Sequence, residues 1–400
     1  MATGTPRAIT PNDDVVTVSA LRTPMTKAHR GGFKDTTPDV LLSHVLKAVL
    51  KQAKVDPELV GDIVVGNVLQ PGAGAGMARM AQLAAGIQHT VPLHVVNRQC
   101  SSGLQAVADV TAAIKAGYYD IGIAAGVESM SLSGIGDDVP TVNWQHIGAV
   151  QDAMDCTVPM GITSENVAEK FNISRSEQDK LALSSHTKAA TAQTNGWFDE
   201  EITPVLTTIK DLDGNERSIV ISQDDGVRAD TTMEKLAKLR PAFKKDGSTT
   251  AGNSSQVSDG AAAVLMMRRS VADKMGLSIL GHFVSFAVTG VPPALMGVGP
   301  LYAIPMALQK ANLSIDQIDV FEINEAFASQ AAYCIKELKI PIEKVNPKGG
   351  AIALGHPLGC TGARQVATLL YQLKRTNQHY GVISMCVGSG MGAAAVFLRE

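Results

Sequence analysis

The chain has 400 residues, of which 45% are hydrophobic and 18% charged, with a formal net charge of −3. That length and apolar content support a large core or two fused domains, while the near-neutral balance excludes the broad basic face of a nucleic-acid binder. No stretch reaches the roughly 18–20 uninterrupted apolar residues that a membrane span needs.

In chain order, Met1 to Asn12 is polar with two prolines and lacks the apolar run of a secretory signal. The segment Leu50-Lys51-Gln52-Ala53 … Val60-Gly61-Asp62-Ile63-Val64-Val65-Gly66-Asn67 reads as a helix end, a polar turn and an apolar strand. Val96-Asn97 then opens a turn, Asn97-Arg98-Gln99-Cys100-Ser101-Ser102-Gly103. Leu104, Val107, Val110, Ala113 and Ile114 follow at helical spacing. Asp120 to Ala125 reads as a strand running into Gly126-Val127-Glu128. From about Ser129 to Ser254 the chain is more polar and reads as helices plus irregular loops, with helix starts expected at Ser164-Glu165 and Ser176-Glu177.

The later chain repeats the earlier one. Leu308-Gln309-Lys310-Ala311 … Ile318-Asp319-Val320-Phe321-Glu322-Ile323-Asn324 matches the Leu50–Asn67 unit, with Gly61 extra in the first copy. Val345-Asn346 matches Val96-Asn97, and Gly392-Ala393-Ala394-Ala395-Val396 matches Gly260-Ala261-Ala262-Ala263-Val264. Three blocks recurring in one order imply two similar α/β halves. The Ser129–Ser254 stretch has no counterpart in the second half, so it is an insertion, and an insertion on a rigid core is a natural place for substrate binding.

Three residues carry the chemistry. Cys100 falls at or just before a helix N-terminus, where unpaired N–H groups and the helix dipole favour a thiolate; a buried inert thiol is the other reading. His356, in Gly349-Gly350-Ala351-Ile352-Ala353-Leu354-Gly355-His356-Pro357, is fixed in a turn and suits proton transfer near neutrality. Cys386, before Val387-Gly388-Ser389-Gly390, has an unperturbed thiol expected to give and take a proton near pH ~8.5, or is a small core residue. Asn324 ends a strand, where its amide either holds a water or polarises a carbonyl, or caps a helix. Cys156, Cys334 and Cys360 read as structural. Five cysteines without C-x-x-C spacing match neither a disulfide framework nor a zinc site.

At these residues the chain resembles the thiolases, and most closely their degradative, peroxisomal-type 3-ketoacyl-CoA branch, from Asp14 to Leu398. The motifs are Asn97-Arg98-Gln99-Cys100-Ser101-Ser102-Gly103, Asn324-Glu325-Ala326-Phe327, Gly355-His356-Pro357 and Cys386-Val387-Gly388-Ser389-Gly390. The resemblance implies an α/β thiolase fold, two βαβαβαββ halves in five layers (αβαβα). It also implies a division into residues 1–128 plus 255–279, an inserted loop domain 129–254, and 280–400. By the same resemblance Cys100 is acylated, His356 activates it and forms one oxyanion hole with Asn324, Cys386 is acid and base at the α-carbon, and the N–H groups of Cys100 and Gly388 form a second hole. Arg228, Ser255 and Met160 correspond to contacts for coenzyme A or the acyl chain. Pro159 stands where short-chain relatives carry His before that Met, which favours the degradative class.

The implied reaction cleaves 3-ketoacyl-CoA with CoA to acetyl-CoA and a shortened acyl-CoA, with CoA as co-substrate and no permanently bound cofactor. A homodimer in the peroxisome is implied as well, although Leu398-Arg399-Glu400 is not the Ser-Lys-Leu address. The stretch Gln70–Met80 is then either a dimer contact or a flexible active-site loop. The rival activities are acetoacetyl-CoA synthesis by Claisen condensation, separable by activity across acyl lengths, and a non-catalytic acyl-CoA- or lipid-binding protein, separable by the lack of an acyl adduct on Cys100.

Overall fold

The computed structural model describes residues 14–136, 141–211 and 213–400, so the polar opening Met1–Asn12 lies outside it. The first half runs β1 (Val15–Arg22), β2 (Thr26–Lys27), α1 (Pro38–Ala53), β3 (Asp62–Gly66), α2 (Ala75–Ala84), β4 (Leu93–Val96), α3 (Ser102–Ala116) and β5 (Ile121–Ser129). An intervening segment holds α4 (Trp144–Ile147), α5 (Gln151–Asp155), α6 (Met160–Lys170), α7 (Arg175–Thr194), β6 (Val205–Lys210), β7 (Glu216–Ile221) and α8 (Met233–Ala237). The chain then returns through β8 (Ser258–Arg268) and α9 (Arg269–Lys274). The second half follows as β9 (Gly281–Gly290), α10 (Gly299–Ala311), β10 (Val320–Ile323), α11 (Ala328–Glu337), α12 (Ala351–Leu354), α13 (Leu358–Thr376), β11 (Tyr380–Val387) and β12 (Met391–Leu398).

Local chemistry sets the helix ends, and matched helices end alike. Pro38 opens α1, where its missing N–H costs nothing. α1 and α10 both stop at a left-handed residue, Lys54 (φ 55°) and Asn312 (φ 54°). So do α3 and α13, at Gly117 (φ 80°) and Asn377 (φ 51°).

The strands follow the order β4-β3-β5-β8-β1-β9-β12-β11-β10 in one sheet. β3 pairs parallel with β4 and β5, and β10 parallel with β11; the other neighbours on this path are antiparallel. A parallel bridge between Phe321 and Val345 puts Val345 where β4 lies in the first half. β1 and β9 share only the pairs Val16–His282 and Thr17–Gly281, so two matched units join at a narrow seam.

Strand alternation sorts side chains between layers. Ala262, Val264 and Met266 of β8 join Ala393, Ala395 and Phe397 of β12 in one core around α3 and α13. The intervening residues Ala261, Ala263 and Leu265 pack instead with Leu42, Val45 and Val49 of α1, and Ala394 and Val396 with Ala303, Ile304 and Ala307 of α10. Helices and strands thus alternate in five layers, with α3 and α13 in the middle. α13 meets both α3 and β5 through glycine: a Cβ at Gly103 of α3 would lie 2.7 Å from Gly359 O, and one at Gly126 of β5 only 2.1 Å from it.

Three sequence expectations change. Ser164 does not start a helix; α6 begins at Met160 after Pro159, and Ser164 is buried against Thr249 and Ser329 Oγ atoms at 2.8 and 2.7 Å. Glu165 faces inward too, accepting the Ser248 and Thr249 N–H groups, so this Ser-Glu pair bonds another segment and not its own helix end. α7 starts one residue before Ser176, because Ser174 and Glu177 form a reciprocal capping box. The irregular-loop reading also missed the β6–β7 hairpin, paired from Val205–Ile221 to Lys210–Glu216. Gln70–Met80, read as a dimer contact or a flexible loop, is a tight turn and the first part of α2, with Arg79 bonded to the carbonyls of Val91 and His89. Among the described residues, no helix is long and apolar enough to cross a membrane.

Candidate active site

Cys100 ends a tight turn two residues ahead of α3. Asn97 Oδ1 accepts the Gln99 N–H and Ser102 Oγ accepts the Arg98 N–H, both at 2.9 Å. Gln99 is held at φ 47°, a left-handed conformation that a side-chain-bearing residue adopts only when its surroundings fix it. The turn aims the thiol at the glycine loop after β11. There the N–H of Gly388, together with the N–H of Cys100 itself, favours the ionised form of the Cys100 sulfur.

His356 stands between Gly355 (φ 103°) and Pro357, two residues ahead of α13. Its network fixes the tautomer. Thr361 Oγ1 lies 2.9 Å from Pro357 O, an acceptor only, so the single hydroxyl proton goes there. The hydroxyl then accepts the His356 Nδ1–H at 2.6 Å. That leaves Nε2 unprotonated, and Asn324 Nδ2 donates to it at 3.3 Å. Asn324 follows β10 directly, its N–H held by Ser384 O, and it caps no helix, since α11 begins at Ala328. Its Oδ1 is buried without a partner among the described residues.

Cys386 lies near the end of β11, fully buried and close enough to Cys100 for a charge there to oppose its ionisation. Its S–H points to Gln330 Oε1 at 3.5 Å.

Electrostatics correct three expectations: a thiolate at Cys100, an unperturbed thiol at Cys386 and a His356 that titrates near neutrality. Burial pushes the Cys100 thiol up to about 11, against the pull of the two N–H groups and with the nearby Glu128 carboxylate adding to the rise. A helix end stabilises a charge by roughly 0.3–2 kcal/mol, whereas full burial moves a pKa by as much as 3–5 units, so desolvation wins. Burial likewise raises Cys386 well above an ordinary thiol. Burial, then the Arg364 charge, lowers His356 to about 3. The resting site is therefore neutral: two thiols and an imidazole with its Nε2 lone pair free for a proton.

Cys100 and His356 line one cleft of about 320 Å³, and Met160 and Ser255 line it with them. Its other walls are mainly apolar, including Met130, Ile135, Phe243, Met296, Phe327 and Leu358. Asn324, Cys386 and Gly388 are buried one shell deeper. Ser255 and Phe243 also line an adjoining cleft of about 240 Å³ with Arg228, Lys27 and Arg30. Arg228 is exposed, and its N–H donates to His186 Nδ1 at 3.2 Å. Cys100, His356, Met160 and Ser255 thus share one cleft, Arg228 lines the adjoining one, Asn324 is bonded to His356, and Cys386 and Gly388 lie near Cys100.

Several neighbours went unnoticed in the sequence. Lys27 and Arg30 were signalled by the basic run Lys27-Ala28-His29-Arg30. Thr361 is five residues past His356 and Gln330 six past Asn324, each close enough to its motif to be questioned. Glu128 ends a quoted strand, but its bond to Gly359 N–H across 231 residues had no sequence signal.

Known proteins resemble this chain in sequence and in fold. The family description "Thiolase, N-terminal domain" matches residues 15–270, and "Thiolase, C-terminal domain" matches residues 277–399. The chain is 65% identical over 385 residues to "3-ketoacyl-CoA thiolase B, peroxisomal" of Rattus norvegicus, covering 96% of this chain and 90% of that protein. The dimeric peroxisomal thiolase of Saccharomyces cerevisiae superposes with a TM-score of 0.90 at 49% identity, covering 98% of both chains. Human mitochondrial 3-ketoacyl-CoA thiolase in complex with CoA gives 0.86 at 37% identity, over 97% of this chain and 98% of that one. In sequence and fold alike, this chain belongs to the thiolase family.

Proposed function

We propose that this protein cleaves 3-ketoacyl-CoA with CoA, giving acetyl-CoA and an acyl-CoA shortened by two carbons, as a peroxisomal enzyme of fatty-acid β-oxidation. The similarity to peroxisomal 3-ketoacyl-CoA thiolases over nearly the whole chain supports this reaction and compartment. The single observation that carries the mechanism is Cys100 and His356 lining one cleft, with the N–H groups of Cys100 and Gly388 favouring charge at the sulfur and the Cys386 thiol near it.

His356 Nε2 takes the Cys100 proton as the sulfur attacks the keto carbon. The charge developing on the keto oxygen meets the N–H groups of Cys100 and Gly388. The Cα–Cβ bond breaks and its electron pair passes to the α-carbon, forming the acetyl-CoA enolate. The enolate oxygen faces His356 and the Asn324 side. The Cys386 S–H protonates the α-carbon, and acetyl-CoA departs. Cys386, now a thiolate, takes the thiol proton of an incoming CoA. The CoA sulfur attacks the acyl-Cys100 thioester, and Cys100 leaves and regains its proton from His356. Two thiols are needed because one is esterified while the other still moves a proton. No step requires a resident cofactor.

The apolar cleft with Met160 and Pro159 suits an acyl chain. In the adjoining cleft Arg228, Lys27 and Arg30 suit CoA phosphates, and Ser255, shared by both, suits the pantetheine between them. Under this reading residues 129–254 form a CoA-binding insertion between residues 1–128 plus 255–279 and residues 280–400. A homodimer is proposed too. β4 ends the strand path with one edge unpaired by any described strand, and the yeast neighbour is dimeric.

Intact-chain mass spectrometry after exposure to 3-ketoacyl-CoA tests the mechanism. The expected result is one acyl mass on Cys100, discharged by CoA and absent in Cys100→Ala. An adduct that survives in Cys100→Ala, or none in the unmodified chain, sinks it.

A further inference from the structure

Gln330 projects from α11 and is fully buried. One end of its amide, Oε1, accepts the Cys386 S–H at 3.5 Å. The other end, Nε2, is buried with no hydrogen-bond partner among the described residues. Native folds seldom bury an amide NH₂ unused, because the lost water contacts are not replaced. The stem is tightly held: a Cβ at Gly297 would lie 2.7 Å from the Gln330 Cβ. The side chain is therefore fixed in place while its terminal amide has a single bond, the one to the thiol.

We propose that Gln330 is a positioning residue that holds the Cys386 sulfur in both of its protonation states. The proposal rests on the reading of Cys386 as acid and base at the α-carbon. A thiol needs an acceptor, and a thiolate needs a donor. When Cys386 gives its proton, the S–H bond breaks, a C–H bond forms at the α-carbon, and the electron pair stays on sulfur. A half-turn of the Gln330 amide then replaces Oε1 with Nε2–H at the same place. When the thiolate takes the proton of incoming CoA, the amide turns back. The turn sacrifices no other hydrogen bond, because Nε2 has none. The titratable groups facing Cys386 are the Cys100 and Cys334 thiols, neither of which brings a positive charge to the thiolate. The N–H of Cys386 itself already favours the thiolate; Gln330 supplies a side-chain donor beside it, at the place where the thiol had its acceptor.

The test separates the two half-reactions. Deuterium exchange into the acetyl-CoA methyl group reads Cys386, and acylation of Cys100 by an activated acyl ester whose leaving group needs no proton, followed by mass, reads the nucleophile. Gln330→Met keeps the length of the side chain and removes the amide. It is expected to slow exchange by about tenfold, a part of the 10²–10⁴ that a whole acid–base group contributes, while acylation stays within about twofold. Gln330→Glu restores an acceptor and a donor when neutral, so its exchange should approach the native rate at low pH and fall as its carboxyl ionises. Equal slowing of both half-reactions in Gln330→Met, or native exchange in it, overturns the proposal. So does a Gln330→Glu profile parallel to the native one, which also decides the matter if the Met variant does not fold. Cys386→Ala run alongside must lose exchange; if it does not, the acid–base reading of Cys386 fails, separately from Gln330.

Discussion

The two halves place three equivalent positions at the same junction and use them differently. Cys100 stands two residues ahead of α3, and His356 two ahead of α13. Asn67 follows β3 as Asn324 follows β10. Glu128 pairs with Gly260 across β5–β8, and Cys386 pairs with Gly392 across β11–β12. In the second half the proposed mechanism uses all three residues, His356, Asn324 and Cys386. In the first half it uses only Cys100. Asn67 donates to Glu128 at 3.3 Å, and Glu128 accepts the N–H groups of Val68, Leu69 and Gly359. Duplication copied the positions, and one copy became a brace. Two helix N-termini meet where Gly103 touches Gly359, which brings like partial charges together. The Glu128 carboxylate answers that charge and pins the first turn of α13 directly behind His356.

The sharpest way to break this comparison is to remove the equivalent pair one at a time. Cys386→Ala should lower thiolysis about a thousandfold and leave thermal unfolding nearly unchanged. Glu128→Ala leaves three N–H groups, the buried one of Gly359 and the part-buried ones of Val68 and Leu69, without their acceptor and should destabilise the fold by about 3 kcal/mol. Its activity loss should track the unfolded fraction. Calorimetry with steady-state thiolysis reads both. A stable Glu128→Ala enzyme with a thousandfold loss would make Glu128 a participant in the chemistry and end the distinction drawn here.

A second measurement sharpens the charge balance at the junction. With the Cys100 thiol at about 11, its thiolate population at pH 7 is roughly a hundredfold below that of a thiol with a pKa near 9. Alkylation of Cys100 by iodoacetamide should climb about tenfold per pH unit from pH 7, with no plateau before pH 10. Cys156 is exposed, so the experiment uses a Cys156→Ser background. A plateau near pH 8 would mean that the helix ends outweigh burial and Glu128.

These contrasts also explain what the sequence disclosed. Cys100, His356 and Cys386 were legible because glycine-rich turns with unusual backbone angles need specific residues within a few positions, and such turns are local. The halves were legible because β8 and β12 keep the same small residues for layer packing. The sign of the Cys100 shift was not legible. It depends on how deeply five layers bury a turn, and burial comes from segments hundreds of residues apart. The hairpin β6–β7 escaped because its alternation is short and its faces are partly exposed. Glu128 and Gln330 escaped because their partners come from other elements, Gly359 and Cys386.

The smallest expected effect tests the second half alone. Thr361 reaches back one turn of α13 to Pro357 O and leaves its lone pair for His356 Nδ1–H. Thr361→Val keeps the shape and removes both bonds. The Nδ1–H then has no acceptor, and the imidazole gains by moving its proton to Nε2, where Asn324 can offer oxygen in place of nitrogen. A histidine protonated on Nε2 cannot take the Cys100 proton. Some molecules retain the productive tautomer, so kcat should fall only about tenfold, or ~1.4 kcal/mol, with KM unchanged. Thr361→Ser keeps the hydroxyl and should recover most of the rate. Native kcat in the Val variant would mean that Asn324 alone selects the tautomer, and the brace behind His356 would then lie wholly in the first half, at Glu128.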